Sequence, residues 1–237
     1  MAVLALSAFV VAPAFAGTTS NPTWYSGGKV LGTGENLGIK STAVGEQKLK
    51  ATGIEIKCSA VAVDSAAQLL GGEPGKDTET LLYSGCKVAS HETECEVKSA
   101  GKANGEIETN ALTSKLAFKT KAAATNKEAK ESKSVTIFTP ASGTVFVSIE
   151  LKGSCGFVPS SNNVNGEVIV DNVQTNEGAA AVAGTQEISA TNESIYFTNP
   201  GAEEHKGVKL TAFGLPASYT GKADVESTES KTFAVEG

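Results

Sequence analysis

The sequence contains no arginine: all twenty of its cations are lysine. Arginine's planar, five-donor fork is the usual grip on phosphate and on base edges. Its absence, with a net charge of −6, excludes nucleic acid and anionic membrane surfaces as expected partners. Histidine is nearly as scarce, with two residues, which leaves little for acid–base or metal chemistry. The one methionine is Met1 and the one tryptophan is Trp24. No apolar run reaches the ~20 residues that a membrane-spanning helix needs.

What the sequence does have starts with "MAVLALSAFVVAPAFAG". This apolar run closes on Ala14-Phe15-Ala16, the small-x-small pattern cut by signal peptidase. Residues 1–16 are therefore read as a signal peptide, and residues 17–237 as a single β-rich domain. The first cation is Lys29, so a charged n-region is missing and the peptide is read as truncated at its start. Export sets the context for four cysteines, Cys58, Cys86, Cys95 and Cys155. An even number in an oxidising compartment reads as two disulfides. No pair has the C-x-x-C spacing of a zinc knuckle, and neither a metal nor another cofactor is expected.

Strand patterns dominate the rest. In "TVFVSIELK" Val145, Val147, Ile149 and Leu151 face one way and Ser148, Glu150 and Lys152 the other, with Phe146 out of phase. "GIEIKCSAVAV" starts with Ile54, Ile56 and Cys58, then changes phase to Val61 and Val63, which predicts a bulge or two-sided burial near Ser59-Ala60. Short β segments separated by Gly, Asn and Pro turns continue to the C-terminus. The expected fold is all-β, an antiparallel sandwich or barrel of about ten to twelve strands. Only residues 119–134 have helical composition, and without an apolar stripe they read as a solvated loop or one short surface helix. "SAAQLL" and "GAAAVAG" read as small apolar turns at a barrel rim.

Two glycine-rich stretches imitate phosphate-binding loops. "GGEPGKDTET" (71–80) carries Gly75-Lys76, but a Walker loop would need glycine where Leu70 stands and a hydroxyl where Asp77 stands. "GTGENLG" (32–38) has one residue too many for GxGxxG, and no helical pattern follows it. The first reads better as a hairpin turn. With its fold point near Gly72, Cys58 and Cys86 are equidistant from the turn and face each other on adjacent strands. Of the three possible pairings this favours Cys58–Cys86 with Cys95–Cys155.

Candidate chemistry is thin. His91 lies in "SHETECE" and His205 in "GAEEHKG", polar turns without the spacing of a helical zinc motif. GxSxG is absent, and "GSCG" is a cysteine turn. No glutamate pair is singled out by its position for glycoside hydrolysis. Trp24 and Tyr25 are the candidate ligand-binding residues, as an aromatic platform for sugar rings, although an indole at a strand start more often plugs a core.

Taken in order, "WYSGGKVLGTG", "LKATGIEIKC", "GGEPGKDTETLLYSGCKV", "CEVKSAGKANGEIETNALTSKLAF" and "PASGTVFVSIELKGSC" resemble a large group of secreted, disulfide-containing β-rich proteins of soil bacteria. The resemblance spans nearly all of residues 17–237. It implies export, paired cysteines and one β domain, and brings no catalytic residue with it. The expected function is that of a secreted or cell-surface, non-enzymatic protein, structural or adhesive. A carbohydrate-binding module or glycan-active hydrolase is the alternative. The expected partners are cell-wall or extracellular glycan, or further copies of the chain joined through polar edge strands.

Overall fold

The computed structural model describes residues 20–128, 133–156, 159, 161–173 and 185–236. The expected signal peptide and "GAAAVAG" lie outside them. The chain enters as a hairpin of β1 (Thr23–Ser26) and β2 (Lys29–Val30), turned by Gly27 and Gly28 at positive φ. Next come β3 (Asn36–Ala43), β4 (Gln47–Ala51), β5 (Ile54–Cys58) and β6 (Ala60–Val63). They are followed by β7 (Gln68–Leu70), β8 (Lys76–Glu79), β9 (Leu81–Ser84), β10 (Lys87–Val88), β11 (Cys95–Ser99) and β12 (Ile107–Glu108). Then β13 (Leu112–Phe118) leads into the helix α1 (Lys121–Asn126), and β14 (Ser134–Pro140), β15 (Val145–Gly153), β16 (Asn163–Asn165) and β17 (Val168–Val173) follow. The last part carries β18 (Thr185–Thr191), β19 (Ile195–Thr198), β20 (Glu203–Lys206), β21 (Thr211–Ala212), β22 (Leu215–Thr220), β23 (Lys222–Ser227) and β24 (Phe233–Glu236).

The all-β expectation holds, as a barrel. Eight strands close on themselves in the order β3, β7, β8, β13, β14, β17, β18, β23 and back to β3, every neighbour antiparallel. Closure pairs the backbone of every strand in the ring on both sides and points alternate side chains inward. A second sheet runs β10-β5-β4-β22-β21-β16-β15-β11, and a small one runs β12-β9-β6. The 24 segments exceed the ten to twelve expected because long β runs change sheet part-way. The chain leaves the ring between β8 and β9 at Thr80 and enters it between β22 and β23 at Gly221. The phase change at Ser59 is another such crossing, from the second sheet to the small one, where a bulge or two-sided burial was expected. A bulge does occur between Val145 and Val147 of β15, and it explains how Phe146 is buried beside Val147.

Three apolar clusters follow from this layout. One is shared by the ring and the second sheet, joining Leu112, Phe138 and Val170 to Ile56, Ile149 and Phe213. Another plugs the far end of the ring with Trp24, Leu37, Leu69, Phe118 and Phe233. Helix α1 completes that plug: Thr120 caps it by accepting from the Ala123 amide, and Ala123 and Ala124 are buried. The expected short surface helix therefore has one face in the core. "SAAQLL" differs from expectation too, since its end is ring strand β7 rather than a rim turn. The third cluster, with Val135, Ile137 and Tyr196, lies outside the ring, where the β19–β20 hairpin covers β13 and β14.

Both disulfides join the expected partners. The β6–β9 register sets Ala60 opposite Ser84, and continuing it by two residues brings Cys58 to Cys86, with Cα atoms 3.9 Å apart. Cys95 on β11 joins Cys155, two residues beyond β15, with Cα atoms 4.6 Å apart. By the chain-entropy argument the two closures are worth ~3.5 and ~4 kcal/mol.

Candidate functional site

Where the ring meets the second sheet, their inward faces do not fill the space between them. A cavity of about 140 Å³ remains, walled by residues such as Ile56, Val61, Leu81, Ile149, Val170 and Ile188. Apolar cavities of about this size stay dry and take up molecules the size of benzene. A void of this kind also forfeits packing energy, at roughly 24 cal/mol per Å³.

Polar groups collect at one side of it. Glu79, Tyr83, Tyr219, Gln47 and Ser41 all line the cavity. The Tyr83 hydroxyl donates to the Tyr219 oxygen at 3.2 Å, and the Tyr219 hydroxyl donates to Gln47 Oε1 at 2.8 Å. The Gln47 amide nitrogen donates to the Lys222 carbonyl at 2.8 Å, ending the chain. The two tyrosine rings meet edge to face, centroids 6.2 Å apart. Glycine at 221 leaves the space for this arrangement, because a Cβ there would stand 1.9 Å from Gln47 Oε1 and 2.7 Å from the Tyr219 oxygen. Ser41 Oγ is buried without a hydrogen-bond partner among the described residues.

Two acids complete the cluster. Asp77 and Glu79 alternate along β8 with exposed Lys76 and half-buried Thr78, so both carboxyls share its inward face. Asp77 is 3% exposed, and its Oδ1 has no hydrogen-bond partner among the described residues. Burial pushes its carboxyl up to about 7, only partly offset by the Ser114 hydroxyl directly across β13. The Glu79 carboxyl is pushed well above its ordinary range by burial first, and then by the charges of Asp77 and Asp64. Among the described residues, no cation offsets the burial of either acid. Burial also raises Tyr83 well above the usual phenol range and Tyr219 to about 12. Burial thus favours the neutral form of both acids, and oxygen atoms gather on this side of the cavity.

The residues singled out from the sequence lie elsewhere. Trp24 is 3% exposed, packs edge-on against Phe233 and donates its indole N–H to the Lys76 carbonyl at 2.7 Å. It plugs the core at the end of the ring, and no sugar-binding plane is presented there; Tyr25, on the opposite face of β1, is half-buried. The two phosphate-loop lookalikes pack on each other. The Gly71 amide donates to the Glu35 carbonyl and the Gly72 amide to the Leu31 carbonyl. A Cβ on Gly71 would lie 2.2 Å from the Gly32 carbonyl oxygen, so these glycines serve backbone-to-backbone contact. His91 packs on Gly156 beside the Cys95–Cys155 bridge, while His205 stacks on Tyr196 and bonds Thr198 at 2.8 Å. Among the described residues, no three His, Cys, Asp or Glu side chains converge as metal ligands.

The inward acids were missed although they stand in the stretch first suspected of chemistry. The signal is there. Asp77, Glu79, Leu81 and Tyr83 keep one two-residue phase, so the carboxyls share a face with a leucine and a tyrosine.

No family model, curated protein or solved structure matches this chain.

Proposed function

We propose that this is a secreted, non-enzymatic binding protein that holds a small, mostly apolar molecule in the interior of its barrel. The observation that carries the reading is the cavity of about 140 Å³, walled by aliphatic side chains at the junction of the ring and the second sheet. The two disulfides fit an oxidising, extracellular setting. The passive role expected from the sequence is kept, with the contact moved from the surface to the inside. Glycan binding is less favoured, because a sugar needs many hydrogen-bonding groups and this cavity is predominantly apolar.

Thermal unfolding of the disulfide-intact protein with and without saturating toluene tests the reading. A ligand that binds only the folded form raises Tm, by an amount equivalent to ~2.7 kcal/mol at one hundred times Kd. A rise is expected, with a change in the near-ultraviolet circular dichroism of the tyrosines lining the cavity. An unchanged Tm across single-ring hydrocarbons, ketones and amines, with binding on a glycan array, would replace this reading with the surface one.

A further inference from the structure

The polar side of the cavity specifies more than apolar character. Its hydrogen-bond donors are largely committed. The Tyr83 hydroxyl serves Tyr219, the Tyr219 hydroxyl serves Gln47, and the Gln47 amide serves the carbonyls of Lys222 and Gly45. Among the described residues, what remains free is chiefly acceptor: the Glu79 carboxyl, which lines the cavity, lone pairs on Tyr83 and the buried oxygen of Ser41. Three donors are left, the Ser41 hydroxyl, the Thr109 hydroxyl, whose oxygen already accepts from the Leu81 amide, and the proton of Glu79 when that acid is neutral. The surroundings are negative in sign. Asp77, with its buried and unpartnered Oδ1, stands on the same face of β8, and Asp64 acts on Glu79 as well. The one lysine among the lining residues, Lys222, turns its Nζ to Glu187, at 3.1 Å. An oxygen-lined pocket short of donors and of positive charge is the complement of an ammonium group.

We infer that the cavity binds a small apolar primary amine as its ammonium ion, the hydrocarbon part filling the aliphatic end and the N–H donors facing Glu79. This rests on the small-ligand reading above and names the chemical class of that ligand. Binding exchanges a proton. The ammonium enters already charged, and the fraction of Glu79 that burial holds protonated gives its proton to solvent to become the paired carboxylate. The groups that bear on this step are Asp77 and Asp64, whose charges oppose it, and the Tyr83 and Tyr219 hydroxyls, which stay neutral.

The test compares benzylamine, toluene and acetophenone (an acceptor without donors) on the disulfide-intact protein and on its Glu79→Gln variant, by titration calorimetry at pH 7. Benzylamine is expected to bind at least tenfold more tightly than either neutral analogue. The measured heat should depend on the buffer's ionisation enthalpy, reporting release of up to one proton. In Glu79→Gln the amine advantage and the buffer dependence should vanish. Toluene or acetophenone binding as tightly as benzylamine, or an undiminished amine advantage in Glu79→Gln, would overturn the amine assignment and leave the apolar-ligand reading standing. If none of the three binds the wild-type protein, both fall.

Discussion

Gly75 lies so close to Trp24 that a methyl group on its Cα would stand 2.8 Å from indole Cδ1 and 2.9 Å from the Trp24 backbone nitrogen. The Leu116 side chain closes the same space at 2.9 Å. The glycine of the phosphate-loop lookalike thus seats the tryptophan that plugs the ring. Gly75→Ala should destabilise the fold by ~1–3 kcal/mol through overpacking. Denaturant titration followed by Trp24 fluorescence would show it as a lower midpoint. An unchanged midpoint and emission would show that the plug can shift freely.

Stability should fall as pH rises toward neutrality. Asp77 and Glu79 hold their protons more tightly folded than unfolded, so the folded state carries the extra protons. Their contribution is fully present below the ordinary carboxyl range, near 3.8 for Asp77, and is lost as pH rises through about 7. For Glu79 the loss extends above its ordinary range of 4.5. The slope is about 1.4 kcal/mol per pH unit for each such proton. Asp77→Asn and Glu79→Gln should both flatten the profile, gaining on wild type between pH 4 and pH 8, by ~4 kcal/mol for Asp77→Asn. Urea titrations at the two pH values provide the comparison.

The hydrogen-bonded chain behind the cavity should fail in a position-dependent way. Tyr219→Phe leaves Tyr83 without its acceptor and Gln47 Oε1 without its donor, both deep in the protein. A loss of ~1–3 kcal/mol per stranded group is expected. Tyr83→Phe removes only the outer donor and should cost less. Gly221→Ala should resemble Tyr219→Phe, because its methyl group would displace Gln47. Equal effects for both tyrosine variants would dismiss the chain as described.

Filling the cavity should trade binding for stability. Ala190 lines it, and Ala190→Leu supplies methylene groups where the wall is bare. A gain of about 1 kcal/mol is expected from burying them without a void, together with loss of any single-ring ligand. Lower stability would show that the space is too narrow for a leucine.

The two bridges should be separable. Replacing Cys95 and Cys155 together by alanine opens the longer loop and should cost ~4 kcal/mol; the same change at Cys58 and Cys86 should cost ~3.5 kcal/mol. Non-reducing peptide mapping should recover only the Cys58–Cys86 and Cys95–Cys155 linked peptides.

What could be learned from the sequence is what short-range rules govern. Two-residue alternation placed β15, and the mirror symmetry of the chain about Gly72 placed Cys58 against Cys86. Other features depend on neighbours remote in sequence. No local pattern shows that β3 lies beside both β7 and β23, so the ring could be named only as one of two architectures. The same reason hid the cavity, whose walls come from strands remote in sequence, on the ring and on the second sheet. Asp77 and Glu79 read as solvated because a carboxylate is outward by default. Their shared phase with Leu81 and Tyr83 argued otherwise.

The seam between β3 and β23 sets Ala43 opposite Ala223 and Ile39 opposite Ser227. During synthesis, the open flank of β3 therefore waits for nearly the whole polypeptide before its partner arrives. Such long-range pairing makes assembly slow and leaves the early strands exposed to wrong partners in the interval. The first half of the chain therefore stays open to its neighbours until Ser227 is in reach.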